Sequence, residues 1–316
     1  MKIVLLSSNI CSVPTLRFLS QSETIQALVA PAETGPFDLQ LEQMAGSLNI
    51  PFKKFARAEL ATAFKEMLKT LQPDVVLSFA YGYKIPAELF GIPKFGFFNV
   101  HFSLLPRYRG RCPAFWQLRN GDEAGGISIH RVTSDFDAGP LLMQKEIAVS
   151  PGTSHGIYWG LLSMESVQVI ASAIEKLKNT GDAMLLPQND EYASQAPVPG
   201  PNDLKINWET QSAREIENLV NATNPDYGGA VTLFRGQMIR LLEVAPADMN
   251  NPVEQLAGTI VYADVNYGTF VACKNMQYLR LTIIHSNEGI LSGFKLAALG
   301  IQAGEMLQTL PDQTLG

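Results

Sequence analysis

Short apolar runs rich in β-branched residues alternate with helix-spaced segments through the first 180 positions, and that alternation leaves few folds open. "KIVLLSS", "TIQALVA", "PDVVLSFA" and "FGFFNVHF" read as buried strands. "AELATAFKEMLKTL" (Ala58 to Leu71) and "CPAFWQLRNG", opened by Pro113 and closed near Gly121, carry helical spacing. "GGISIHRV" and "LLMQKEI" follow as two more strands, and residues 154–180 as one long amphipathic helix stopped at Gly181. Strands joined by helices form βαβ units, so the expected fold is α/β with a doubly wound, mostly parallel sheet.

The stretch "LPQNDEYASQAPVPGPNDLKINW" is dense in proline and polar residues and reads as an interdomain linker. Beyond it, one helix ("SAREIENLVNAT") precedes "GAVTLFRG", "QMIRLLEV", "AGTIVYAD", "GTFVACK" and "QYLRLTII". Closely spaced short strands with glycine and asparagine turns suggest a smaller C-terminal OB-like β-barrel domain. The expected boundaries are 1–183 for the first domain, 184–203 for the linker and 204–316 for the second domain.

At 316 residues, 46% hydrophobic and 17% charged, the chain can bury a large core. A formal charge of -6 argues against a general nucleic-acid or anionic-membrane binder, which usually carries a basic field. Cys11, Cys112 and Cys273 are scattered, so neither a disulfide framework nor a metal site is expected. The opening "MKIVLLSSNICSVP" is too short an apolar run for a membrane span and lacks a signal peptide's core, which gives the expectation of a cytoplasmic protein. Its "SSNICSVP" turn has no glycine, so the first strand and helix do not form a dinucleotide cradle.

Polar chemistry concentrates in "FNVHFSLLPRYRG", residues 98–110. Alternate residues of a strand share a face, so Asn99 and His101 point together, near the carboxyl end where open parallel sheets bind ligands. An isolated pair of this kind also serves to satisfy backbone groups of the following loop. In "SDFDAGP", Asp135 or Asp137 could supply the carboxylate that orients an imidazole, or could simply shape a turn. Arg107, Arg109 and Arg111 could hold a phosphate or carboxylate, or be solvated, with Tyr108 anchoring the loop. His130, His155 and His285 read as structural.

The run "NVHFSLLPRYRGRCP", followed by "NGDEAGGISIHRVTSDFDAGPLL", resembles the signature of the folate-dependent formyltransferase family. Its pattern is Asn-x-His, then Ser-Leu-Leu-Pro with Arg-Gly, then Asp-x-Gly about thirty-five residues on. "PDVVLSFAYGYKIP" is similar to the family's folate-pocket strand and loop, and the region after Pro201, with "INW" and "NPDYGGAVTLFRG", to its carboxyl-terminal barrel. The resemblance implies a Rossmann-like formyltransferase fold and 10-formyltetrahydrofolate as formyl donor. It implies Asn99, His101 and Asp137 as catalytic residues, with Asn99 and His101 donating to a developing oxyanion and Asp137 holding the imidazole's charge and accepting the amine's proton. Phe79, Tyr81, Gly82, Tyr83, Ile85, Ser103, Leu104 and Asp135 would face the folate; Arg107, Tyr108, Arg109 and Arg111 would face the acceptor.

The family's acceptors include amino-sugar nucleotides, glycinamide ribonucleotide and methionyl-tRNA, and some relatives hydrolyse the donor. Where tRNA-acting members carry a basic insertion, this chain reads "APAETGPFDLQLEQ", acidic and short, which disfavours tRNA as partner. The expected acceptor is an amine-bearing small molecule of the amino-sugar nucleotide type, with methionyl-tRNA second. Hydrolase activity and a folate-binding module without turnover are the remaining readings.

Overall fold

The apolar runs of the first half of the chain assemble into one sheet in the computed structural model, which describes residues 1–33, 35–249 and 254–311. Contacts divide the chain into two units: Met1–Pro113, Ala124–Ala148 and Trp159–Ala196 form one, and Ala114–Glu123, Val149–Tyr158 and Pro197–Gly316 the other.

The first unit's strands are β1 (Lys2–Leu6), β2 (Thr24–Pro31), β3 (Phe52–Phe55), β4 (Val75–Phe79), β5 (Phe97–His101), β6 (Ala124–Arg131) and β7 (Leu141–Ala148), in the order β3-β2-β1-β4-β5-β6-β7. Pairing is parallel from β3 through β5, then antiparallel to β6 and β7. Ile3 to Leu6 are fully buried, as a strand covered on both faces requires. The strand order reverses between β1 and β4, and at such a switch point the carboxyl ends splay to leave a crevice.

Helices α1 (Val13–Leu19), α2 (Asp38–Ser47) and α3 (Lys65–Leu71) connect these strands. The helix expected from Ala58 to Leu71 begins as a 3-10 turn at Arg57–Glu59, widens into a π turn at Leu60–Phe64 and only then becomes α3. Leu60, Phe64 and Leu68 still fall on one stripe and pack with Val4, Val29 and Val76. Strand β3 was not expected, because "FKKF" is an edge strand carrying two lysines in place of an apolar run.

Helix α4 spans Pro113–Asn120, and α5 spans His155–Thr180, ending where Gly181 takes a φ of +55°. Helix α5 is long and apolar enough to cross a bilayer, yet half of its apolar window is buried, including Leu162, Val169, Ile170 and Ile174. The start of the proline-rich stretch is strapped to the loop after β5: Arg109 N–H donates to Ser194 O (2.8 Å), and Cys112 N–H to Ala196 O (3.0 Å). Gly110 permits this approach with a φ of +122°, since a Cβ there would lie 2.7 Å from Ala196 O.

In the second unit, α6 (Ala213–Thr223) opens on a capping box in which Ser212 and Glu215 satisfy each other's backbone N–H. Strands β8 (Ala230–Phe234), β9 (Gln237–Ala247), β10 (Ile260–Asp264), β11 (Gly268–Cys273) and β12 (Gln277–Ser286) form an antiparallel sheet, order β10-β11-β12-β9-β8. Short strands β13 (Gly289–Ser292) and β14 (Leu307–Gln308) add to it, with α7 (Gly293–Ala298) between them. The sheet curls because one segment serves both edges: Ile260 bonds Glu305 O and Gly304 N–H, while β14 pairs with β8. Trp208, Ile216, Leu219, Leu241, Val271 and Leu279 fill the half-barrel, which matches the expected OB-like domain.

Candidate active site

Strand β5 buries Phe98 and Val100 on one face and turns Asn99 and His101 to the other. Antiparallel pairing with β6 sets His130 directly opposite Asn99. The loop after β6 then returns Asp137 to the same point. Asp137 Oδ2 lies 3.7 Å from His101 Nδ1 and accepts from Gly110 N–H at 2.9 Å. Asp137 Oδ1 lies 3.3 Å from His130 Nε2 and accepts from Asn99 Nδ2 at 3.3 Å. His101 donates its other nitrogen, Nε2, to Tyr108 O at 2.8 Å.

The loop that presents Asp137 is tightly constrained. Asp137 has a φ of +53°, a region few non-glycine residues occupy and one that marks functional loops. Gln188 Nε2 donates to both Asp137 O (2.8 Å) and Gly139 O (2.7 Å). A Cβ on Gly139 would sit 1.8 Å from Arg131 O, so only glycine fits.

Burial raises the Asp137 carboxyl, but the adjacent His101 and His130 and the Gly110 N–H outweigh it and hold the group well below the usual carboxylate range. Burial lowers the His101 imidazole against the opposing pull of Asp137. The carboxylate is therefore ionised and the His101 ring resists charging.

These residues line one side of a cleft of about 760 Å³ within the first unit. Tyr81, Gly82, Tyr83, Ile85, Asp135 and Arg111 line it as well. The Tyr81 and Tyr83 hydroxyls are buried without a hydrogen-bond partner among the described residues, and burial, then Glu33, raises the Tyr81 phenol. Buried orphan donors in a cleft fit a ligand with acceptor atoms. Asp135 is exposed and does not reach the imidazoles' carboxylate position.

Several expected residues lie outside this lining. Phe79 packs edge-on against Phe102 (5.5 Å between centroids), Ser103 Oγ donates to Arg107 O (2.7 Å), and Leu104 covers Gly126. Arg107 stacks on the Tyr108 ring, and Tyr108 is buried. Arg109 is bound by Gln188 Oε1 (2.7 Å) and Asp190 Oδ1 (2.6 Å), so it braces the loop and Arg111 is the arginine of the three that reaches the cleft. Sequence reasoning missed His130, and also Ser8, Arg57, Lys84, Phe136 and Gln195 in the lining. Arg57 stands over the Tyr83 ring and Lys84 over the Phe136 ring, at 5.5 and 5.0 Å.

The family described as formyl transferase matches residues 1–174, and the formyl transferase carboxyl-terminal domain matches residues 200–293. The chain belongs to the formyl transferase family. A methionyl-tRNA formyltransferase from Acetivibrio thermocellus is 33% identical over 66% of this chain and 66% of its own length, so the chain spans just under two thirds of that relative. Two solved structures share the fold. An N-formyltransferase from Helicobacter canadensis, in complex with folinic acid and dTDP-3-aminofucose, superposes with a TM-score of 0.66 at 14% identity, covering 89% of this chain and 98% of that one. HypX from Aquifex aeolicus, in complex with tetrahydrofolic acid, gives 0.63 at 15% identity over 99% of this chain and 51% of that one. In this fold Asn99 and His101 sit on β5 and Asp137 on the loop after β6, all lining one cleft.

Proposed function

We propose that this formyltransferase moves a formyl group from 10-formyltetrahydrofolate to a primary amine on a phosphate-bearing small molecule, an amino-sugar nucleotide being the first candidate. The convergence of Asn99, His101 and Asp137 at one cleft wall carries the reading.

Attack by a neutral amine on an amide-like formyl carbon builds negative charge on the formyl oxygen and positive charge on the nitrogen. Asn99 donates to that oxygen in this reading; its present contacts are long, at 3.3 Å, and a ligand oxygen can replace one. Asp137 takes the proton from the attacking nitrogen, directly or through a water. His101 faces the carboxylate and not the formyl oxygen: with Nε2 on the Tyr108 carbonyl, its Nδ1 lies 3.7 Å from Asp137, beyond hydrogen-bond reach, so in this reading it packs beside Asp137 in place of the direct donation to the oxygen that the motif implied. The orphan hydroxyls of Tyr81 and Tyr83, with Gly82 and Ile85, would hold the pterin side of the donor. Arg111 would hold the acceptor's phosphate.

Methionyl-tRNA is the second reading, favoured by the 33% identical relative. Against it stand the charge of -6 and the short acidic connection between β2 and α2. The deciding experiment incubates purified protein with 10-formyltetrahydrofolate and either amino-sugar nucleotides or charged initiator tRNA, following tetrahydrofolate and formate. Tetrahydrofolate released in step with a formylated sugar supports the proposal. Formylation of tRNA alone selects the second reading, and acceptor-independent formate release would replace transfer with hydrolysis.

A further inference from the structure

His130 Nε2, Asp137 Oδ1 and Asn99 Nδ2 stand at the corners of a triangle with three sides of 3.3 Å. Such a triangle puts the two acceptor positions about 60° apart as seen from the Asn99 nitrogen, whereas the two N–H bonds of an amide diverge by about 120°. Asn99 can therefore direct one hydrogen at this pair of atoms, and not both. His130 Nδ1 lies 3.0 Å from Arg131 O, and a carbonyl only accepts, so Nδ1 carries a hydrogen. A neutral His130 would then turn the Nε2 lone pair toward an ionised carboxylate oxygen, with a single N–H of Asn99 left to serve both. Every contact is satisfied when Nε2 also carries a hydrogen.

We propose that His130 is the imidazolium of this site and a positioning residue for formyl transfer. This rests on the transfer reading above and extends it. With Nε2–H of His130 and one N–H of Asn99 both donating to Asp137 Oδ1, the second Asn99 N–H is released toward the cleft that Asn99 lines, available to a formyl oxygen. Loss of the His130 proton draws Asn99 toward Nε2 and withdraws that donor. His101 is the neutral ring of the pair, in keeping with its Nε2 on the Tyr108 carbonyl and its longer 3.7 Å separation from Asp137. The charged groups facing His130 are Asp137 from the loop and His101 from β5, with Arg111, Asp135 and Lys84 elsewhere around the cleft; β7 opposes it with Leu141.

The sequence contains four histidines, so imidazole nitrogen NMR of the free protein resolves each ring, with His130→Gln assigning the signal. The expected result at pH 7 is His130 doubly protonated and His101 with one ring proton. A His130 ring carrying one proton at pH 7 overturns the proposal, and needs no acceptor to show it. His130→Ala should lower kcat at least tenfold with little change in acceptor KM, and His130→Gln, which keeps a donor, should recover part of kcat. A His130→Ala enzyme that keeps the parent kcat refutes the positioning role. Failure of the parent protein to formylate any amine, with His130 still doubly protonated, counts against the transfer reading instead.

Discussion

Gly139→Ala tests how closely activity depends on the loop that carries Asp137. The added Cβ would lie 1.8 Å from Arg131 O, and real contacts of this kind stay above 3.0 Å, so the loop must move by at least 1.2 Å. Arg131 cannot yield easily: its N–H donates to Pro140 O at 2.9 Å, and its carbonyl holds His130 Nδ1 at 3.0 Å. Gln188 ties the Gly139 and Asp137 carbonyls together, so the displacement passes to Asp137. A misplacement of about 1 Å at a reacting group costs about 100-fold in rate. Relief of the overlap should lower stability by about 1–3 kcal/mol. The assay is kcat for amine-dependent tetrahydrofolate release, with urea unfolding in parallel. Gly46→Ala in α2, where a Cβ meets nothing within 4 Å, is the control and should leave kcat unchanged. A folded Gly139→Ala enzyme within about threefold of the parent kcat, less than 1 kcal/mol of transition-state free energy, would refute this reasoning.

Arg111→Ala should raise acceptor KM about tenfold or more while stability stays within about 0.5 kcal/mol; unchanged KM in steady-state kinetics removes Arg111 from the acceptor site. Arg109→Ala should act the other way, lowering the unfolding free energy measured in urea by about 1–3 kcal/mol through the loss of its Gln188 and Asp190 contacts, with acceptor KM little changed. Acid should destabilise the protein in two stages. His101 is held below the ordinary histidine value of about 6.5 and Asp137 below the ordinary value of about 3.9, so the unfolded chain binds more protons in both cases. The contribution of these two groups is full above about pH 6.5 and declines below it as unfolded His101 protonates, then further below about pH 4 as Asp137 follows. His101→Gln should flatten the first stage in urea titrations between about pH 6.5 and 5; an unaltered slope would count against His101 as its source.

The parts of this site that depend on local periodicity were legible in the sequence. Alternation alone puts Asn99 and His101 on one face of β5, and the helix-strand rhythm yields the sheet whose carboxyl ends line the cleft. The motif also separated Asp137 from Asp135, and the positive φ of Asp137 supplies the physical reason: the turn aims that carboxylate back at β5. What was not legible depends on register or on distant partners. His130 enters because it pairs with Asn99 across an antiparallel step, which no single strand reveals. Arg109 reads like its neighbours until Gln188 and Asp190, some eighty positions later, fold onto it. Phe79 belongs to the strand that leads to the cleft, but the alternation that exposes its neighbours turns it toward Phe102. Lysines concealed β3, since an edge strand needs only one buried side.

The most direct test compares Asp137→Asn with Asp135→Asn in amine-dependent tetrahydrofolate release, using the acceptor the panel identifies. Removal of the Asp137 charge should reduce kcat by about 100-fold or more with the protein folded, and Asp135→Asn should leave most of the turnover. An Asp137→Asn enzyme that turns over at the parent rate would contradict the assignment of proton transfer to this carboxylate.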